Sequence, residues 1–214
     1  MAEASGKFVE WRKASLAAGL VLLLSGCATT PSGPPKKIHD ACAIFEDRGV
    51  WYEASKKSAE KWGVPISVQL AILHQESSFR GDAQPPRATL FWFIPWTRLS
   101  SAYGYPQAKD ETWSWYQEQT GNRFARRDDY ADAVDFVGWY CDVSHKKLGL
   151  AKNDAYSLYL TYHEGHRGYK DGTYRSKAWL TKVARKVEGL SRRYQEQLTQ
   201  CRGKLESPPG LHLF

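Results

Sequence analysis

The feature that most limits what this chain can form is an uncharged apolar run of twelve residues near its start, ASLAAGLVLLLS at residues 14–25. A helix that spans a membrane needs about 20 apolar residues, so this run is too short to cross one. A modestly basic segment, residues 7–13, precedes it, and small residues and Cys27 follow it. This order predicts a secretory signal peptide and an exported chain.

The residues Leu24-Ser25-Gly26-Cys27 resemble the lipobox of bacterial lipoproteins. The resemblance implies a signal peptide at residues 1–26 and a diacylglycerol on the sulfur of Cys27. Residues 27–39 are rich in Pro, Thr, Ser and Gly and are expected to form a flexible linker. In those lipoproteins an Asp after the Cys marks retention at the inner membrane, so Ala28 implies the periplasmic face of the outer membrane. The alternative is a buried helix that contains a Cys by chance.

Export changes what the remaining cysteines can do, because the periplasm permits disulfides. Cys42 and Cys201 lie near the two ends of the expected domain, and a bridge between them would close nearly all of it. Cys141 lies on an apolar helical stripe and is expected to be a buried free thiol. No Cys-x-x-Cys or His-rich spacing predicts a metal site, and no cofactor is expected.

The formal net charge of +7, of which the signal peptide supplies +1, favours an anionic partner. Nucleic acid, an acidic membrane surface and an acidic wall polymer would all fit. No helix-turn-helix, RNA-binding or zinc-finger pattern supports nucleic acid, which is therefore not expected. The basic residues are scattered, so an ordinary solvated surface also explains the charge. The aromatic fraction of 14% is typical of grooves that stack on sugars or of an aromatic core.

Helical spacing and capping residues predict one mainly α domain at residues 40–203, followed by a tail at 204–214. Helices are expected at about residues 40–63 (with a break near Gly49), 65–79, 110–121, 128–149, 153–163 and 176–201. Asp128 and Asn153 are the expected caps of the fourth and fifth helices. Residues 81–109 are expected to form a long loop.

That loop contains the consecutive apolar residues Leu90-Phe91-Trp92-Phe93-Ile94-Pro95-Trp96. No helical or strand period can bury all of them on one face, so some should point outward. One interpretation is that they contact the membrane surface or a partner. The other is that they fold back to form a wall of a sugar cleft.

Glu76 is the most informative single residue, because it lies in the last turns of an apolar helix where a carboxylate is unusual. Apolar neighbours and the negative end of a helix both raise the pKa of a carboxyl group. A carboxylic acid that stays protonated near neutral pH can protonate the leaving oxygen of a glycosidic bond. Glu76 is therefore the candidate general acid.

Three runs in order resemble the motifs of the soluble-lytic-transglycosylase family, which shares the goose-type lysozyme fold. They are Glu76-Ser77-Ser78-Phe79, Ser101-Ala102-Tyr103-Gly104-Tyr105-Pro106-Gln107 and Tyr162-His163-Glu164-Gly165. The resemblance implies that Glu76 is the sole acid and base and that Tyr162 supports it, and the Tyr162 hydroxyl is expected to hydrogen-bond the Glu76 carboxyl. It also implies sugar binding by the following residues: Ser77, Ser101, Tyr103, Gly104, Tyr105, Gln107, His163 and Glu164. Tyr105-Pro106 and His163-Glu164 depart from the family pattern, so the sugar contacts are expected to differ.

The resemblance implies cleavage of the β-1,4 bond between N-acetylmuramic acid and N-acetylglucosamine, with a 1,6-anhydromuramoyl end and no net hydrolysis. Peptidoglycan strands are then the expected partner. Membrane contact is expected from the lipid on Cys27 and, in the first interpretation of residues 90–96, from those residues as well. Two alternatives stay open. One is a muramidase that admits water and uses a second carboxylate such as Glu164 or Asp82, and the other is a non-catalytic wall-binding lipoprotein.

Overall fold

The structure is a computed structural model that describes residues 33–85, 87–90, 94–98 and 100–207, with side chains for 33–85 and 100–207. These residues lie within one compact unit. The α-helices in this part are α1 (Ala41–Asp47), α2 (Gly49–Trp62), α3 (Ile66–Ser77), α4 (Asp110–Thr120), α5 (Tyr130–Leu148), α6 (Ala155–Asp171) and α7 (Ala178–Glu206). The predicted mainly α domain is confirmed. None of the described helices is both long and apolar enough to cross a membrane.

Most helix ends lie where the capping residues predict them. The Asp40 carboxylate accepts a hydrogen bond from the backbone N–H of Ala43 and so begins α1. The expected break occurs at Arg48, where the chain leaves the helical conformation between α1 and α2. α2, α4 and α5 end at Gly63, Gly121 and Gly149. Local sequence chemistry therefore determines these boundaries.

Two caps differ from the prediction by one residue, and two helices are longer. Asp129, not Asp128, caps α5 by accepting from the N–H of Asp132, because the Asp128 carboxylate binds Arg126 instead. Asp154, not Asn153, caps α6. α6 continues past residue 163 to Asp171, and α7 continues past residue 201 into the expected tail.

The segment expected to be one long loop contains a β-hairpin. Strands β1 (Arg87–Leu90) and β2 (Ile94–Arg98) pair antiparallel, with Leu90 opposite Ile94 and an irregularity between Arg87 and Thr89. The prediction was wrong here because strands of four and five residues are too short for their alternation to be recognised in the sequence. The contacts predicted for the side chains of residues 90–96 lie outside the described side chains.

α3 lies at the centre of the domain and packs against α5, α6 and α7. Leu70, Ala71, Ile72 and Leu73 are fully buried, as expected for a helix that is apolar on every side. α2 is joined to α5 by the stacked rings of Trp51 and Tyr130, whose centroids are 3.8 Å apart. This packing fixes the last turn of α3, which carries Glu76, against the elements around it.

A disulfide joins Cys42 of α1 to Cys201 of α7 with a Cα–Cα distance of 6.0 Å. This is the pairing expected from the positions of the two residues at the ends of the domain. Cys141 is a free thiol buried on α5. The bridge closes a loop with a sequence separation of 159 residues.

The packed domain begins before Asp40, inside the expected linker. Pro35 is buried, and the Arg48 guanidinium donates to the carbonyl oxygens of Gly33 (3.0 Å) and Pro34 (3.2 Å). The Ile38 carbonyl accepts from the Tyr194 hydroxyl. Residues 33–39 therefore belong to the folded domain, because their carbonyl oxygens accept hydrogen bonds from a buried arginine and a buried tyrosine.

Candidate active site

Glu76 lies in the last turn of α3 and borders an open cleft of about 400 Å³. The chain reverses directly after it, because Ser78 and Phe79 both have a positive φ, of 52° and 59°. The other cleft residues come from the segment before α4 and from α4, α5 and α6: Gln107, Ala108, Lys109, Glu111, Thr112, Phe136, Tyr140, Tyr162, His163, Glu164 and Gly165. The second and third sequence motifs therefore meet the first at this cleft.

The environment of Glu76 favours the protonated acid. Burial raises the pKa of its carboxyl from its usual 4.5 to about 7, while hydrogen bonding with the Tyr159 hydroxyl acts in the opposite direction. The residue is nonetheless partly exposed to the cleft. A carboxyl with this pKa exists in both protonation states near neutral pH, so it can donate a proton in one step and accept one in the next.

Tyr159 is the hydroxyl that acts on Glu76, and sequence reasoning missed it. Tyr162 was expected to hydrogen-bond Glu76, but its hydroxyl donates to the carbonyl oxygen of Pro106 at 2.6 Å. This bond uses the proton of the Tyr162 hydroxyl, and no hydrogen bond joins that hydroxyl to Glu76 in the described part of the chain. Tyr162 lines the cleft, and its hydrogen bond to Pro106 links it to the second motif. Tyr159 precedes it by three residues on α6 and thus lies on the same helical face.

The second motif shapes the cleft mainly through its backbone. Gly104 has a φ of 74°, and a Cβ there would lie 2.1 Å from the carbonyl oxygen of Arg127, so only glycine fits. The Gln107 side chain donates to the carbonyl oxygens of Ala83 and Gly104, both at 2.8 Å. Gln107 is the one expected sugar-binding residue of this motif that borders the cleft.

The other expected sugar-binding residues of the first two motifs have structural contacts. Tyr105 packs edge-on against Trp51 and Tyr130. The Ser77 hydroxyl is buried and donates to the carbonyl of Leu73. The Ser101 hydroxyl accepts from the backbone N–H of Asp110 at the start of α4, and the Tyr103 hydroxyl donates to Asp128. These four residues support the cleft without lining it.

In the third motif, Glu164 is held as a carboxylate by its neighbours. Burial alone would raise its pKa, but hydrogen bonds from Lys177 (2.8 and 2.9 Å), Thr173 and His163 (3.0 Å) outweigh that effect and lower the pKa to about 2. Its side chain is only 4% exposed. A carboxylate with so many donors is a poor general base, so Glu164 fixes this wall of the cleft.

The cleft also contains residues that the sequence did not indicate. Lys109 and Glu111 are exposed at its edge, whereas Asp82, considered as a second carboxylate, lies in the turn after α3 and is not among the cleft residues. The ring of Trp179, 57% exposed, meets that of His163 with 5.2 Å between centroids. In the sequence, Glu111 is marked only by its position in the first turn of α4, and no motif indicates that it faces the cleft.

No group of three or more His, Cys, Asp and Glu side chains converges as a metal site among the residues that the structure describes. Cys27 lies outside the described residues, so its expected lipidation stays a prediction.

A family model described as "Transglycosylase SLT domain" matches residues 15–201. No curated protein and no solved structure matches the chain.

Proposed function

The chain belongs to the transglycosylase SLT domain family, which acts on peptidoglycan, and on that premise we propose that Glu76 cleaves the glycan as its sole acid and base. The bond is the β-1,4 linkage between N-acetylmuramic acid and N-acetylglucosamine, and the product is a 1,6-anhydromuramoyl end. The observation that carries the proposal is the raised pKa of Glu76, about 7, at the wall of an open cleft.

In the first step Glu76 donates its proton to the bridging oxygen as the bond from that oxygen to the muramoyl C1 breaks. The electron pair of the broken bond stays on the oxygen, which leaves as the 4-hydroxyl of N-acetylglucosamine. The acetamide oxygen of the muramoyl residue bonds to C1 and stabilises its positive charge, which removes the need for a carboxylate nucleophile.

In the second step the Glu76 carboxylate accepts the proton of the muramoyl 6-hydroxyl. That oxygen bonds to C1 and displaces the acetamide oxygen, which closes the 1,6-anhydro ring and restores the protonated acid. No water is consumed. One carboxyl group with a pKa near neutrality suits both steps, because neither protonation state is costly to reach.

A hydrolytic muramidase is a second candidate, and the position of Glu111 is the observation that favours it. Hydrolysis with inversion requires a second carboxylate that activates water across the sugar. Glu164 is occupied by Lys177 and Asp82 does not border the cleft, whereas Glu111 borders it and makes no ion pair within the described part of the chain.

Digestion of purified sacculi followed by mass spectrometry distinguishes the candidates. We expect muropeptides with anhydro ends, lighter by one water than reducing ends, and a loss of cleavage by roughly 10²-fold or more in Glu76→Gln. Glu111→Gln should retain most activity. Reducing ends that disappear in Glu111→Gln would establish the muramidase. Intact sacculi after treatment with the wild-type protein would leave only a wall-binding role.

We also propose that Cys27 carries a lipid and places the domain at the periplasmic face of the outer membrane, with residues 90–96 as a further contact. The lipobox resemblance and Ala28 support this localisation. Recovery of Cys27→Ala in membrane fractions at the wild-type level would contradict it.

A further inference from the structure

A second concavity, the basic groove, lies between α3 and α7 and has a volume of about 580 Å³. Its polar side chains are those of His39, His74, Gln75, Lys186, Arg192 and Arg193. Val187 and Leu190 form its apolar part. Gln75 directly precedes Glu76 on α3, so the helix that carries the candidate acid also contributes to this groove.

The groove is positively charged without compensation. No Asp or Glu lines it, and Lys186, Arg192 and Arg193 form no salt bridge with the described residues. Burial, together with the nearby His39, lowers the pKa of His74 to about 4, so His74 is neutral near pH 7 and acts through hydrogen bonding. The positive charge therefore comes from three side chains of one helix, and the complementary ligand is an anion.

The side chains that line the groove favour an acidic chain over a membrane surface. Binding to a bilayer surface uses apolar side chains that protrude into the lipid. The large apolar side chains that are most exposed among the described ones are Val50, Phe124 and Trp179, and none of them lines the groove. Here Val187 is buried and Leu190 half-buried.

We propose that the basic groove binds the carboxylates of the peptide stems of peptidoglycan. This inference rests on the proposed function, since peptidoglycan carries acidic peptide stems and the groove is lined by Gln75, the residue before Glu76 on α3. The stems hang from the lactyl group of N-acetylmuramic acid, and D-glutamate and diaminopimelate supply their carboxylates. Lys186, Arg192 and Arg193 pair with these groups, and Gln75 donates hydrogen bonds to the peptide backbone.

Direct binding tests the groove without any cleavage. The probe is a soluble stem tetrapeptide that contains D-glutamate and diaminopimelate, and its fully amidated form is the ligand control. In Arg192→Gln/Arg193→Gln the affinity for the acidic peptide should fall about 5- to 30-fold, since each exposed charge pair contributes up to roughly a factor of five. Lys182→Gln/Arg185→Gln removes the same charge from exposed α7 positions outside the groove and should leave the affinity within about twofold.

Cleavage of two substrates connects the groove to the glycan. With intact sacculi the groove variant should show a raised KM and an unchanged kcat. With glycan strands from which an amidase has removed the stems, the groove variant and the wild type should be equal. Circular dichroism of both double variants verifies that the fold is retained.

Each failure has its own signature. Equal peptide affinity in the two double variants and the wild type would overturn the groove assignment even if sacculi are cleaved. If Arg192→Gln/Arg193→Gln lost binding to vesicles of anionic phospholipid but kept the wild-type affinity for the peptide, the groove would be reassigned to the membrane. Peptide binding that depends on Arg192 and Arg193, in a protein that cleaves no sacculi, would refute the proposed function and retain the groove.

Discussion

Glu76 shows how a single residue acquires its chemistry from its surroundings. The carboxyl belongs to a helix whose central residues are fully buried, and burial of the carboxyl raises its pKa to about 7. The carboxyl still faces a cleft open to solvent, so a substrate can reach it. The same desolvation that stabilises the acid therefore makes the ionised form costly to the fold.

This cost predicts a pH-dependent stability. The unfolded Glu76 carboxyl ionises near pH 4.5 and the folded one near 7, so the folded protein binds the additional proton between these values. Stability should fall as pH rises through this window. Glu76→Gln cannot ionise and should be more stable than the wild type by about 1–3 kcal/mol at pH 8, with little difference at pH 4. Chemical denaturation at the two pH values measures this, and an equal difference at both would contradict the desolvation argument.

The two tyrosines of α6 are expected to have separable effects. Tyr159→Phe removes the hydroxyl that lowers the pKa of Glu76, so the alkaline limb of kcat/KM should move upward by about 0.7 pH unit, the equivalent of a hydrogen bond of about 1 kcal/mol. Tyr162→Phe removes only the bond to Pro106 and should leave the position of that limb unchanged. Identical pH profiles for all three proteins would mean that Tyr159 does not act on Glu76.

At the residue scale, sequence reasoning selected Glu76 as the candidate acid because a carboxylate at the end of an apolar helix is chemically unusual. It missed Tyr159, because a tyrosine on a buried helical face looks like an ordinary core residue. It also read Gly104 and Tyr105 as sugar contacts. Those contacts stay predictions, while the close approach of the Arg127 carbonyl to Gly104 and the packing of Tyr105 on Trp51 show that both residues shape the loop.

At the scale of elements, the interruption of α6 at Gly165 shapes the side of the cleft that the third motif forms. Gly165 has φ 76° and ψ 162°, a conformation that only glycine adopts readily. A Cβ at this position would meet no atom within 4 Å, so the requirement for glycine is one of backbone conformation and not of space. The kink directly follows Glu164, which Lys177 holds in place.

We therefore expect Gly165→Ala to lower the free energy of unfolding by about 1–3 kcal/mol and to reduce cleavage of sacculi, because the helix must either remain strained or straighten. Gly203→Ala is the matched control. Gly203 lies in α7 with open space around it, and alanine there should stabilise the protein by about 0.5–1 kcal/mol. Stabilisation by both substitutions would show that the kink carries no strain.

The elements themselves were predictable where their ends have local chemistry. Asp40 and Gly63 determine helix ends through contacts within a few residues of the chain. The hairpin was not predictable in the same way, since its strands are defined by pairing between residues 87–90 and 94–98. The extension of α6 beyond residue 163 was not predicted either, because the helix is interrupted by a kink at Gly165 and resumes after it.

At the scale of the whole molecule, the two ends of the described domain are tied to each other. α1 and α7 share the disulfide, and Gln197 of α7 accepts from the N–H of Ala41 and donates to the carbonyl of His39. α7 also packs along α3. The helix that carries Glu76 therefore lies within the segment of chain that the disulfide closes.

Opening the loop should destabilise the protein without displacing the cleft. A cross-link that closes a loop of about 160 residues restricts the unfolded chain, and removal of such a bridge typically costs about 3–5 kcal/mol. Cys42→Ser/Cys201→Ser should therefore unfold at lower denaturant concentration while its kcat at 25 °C stays close to that of the wild type. A reducing agent should shift the wild-type unfolding midpoint to that of the double variant and should not affect the double variant itself. Cys141→Ser keeps the bridge and should retain this sensitivity to reductant. If reductant leaves the wild-type midpoint unchanged, the loop closure contributes nothing to stability, and the packing of α1 and α7 alone holds the two ends together.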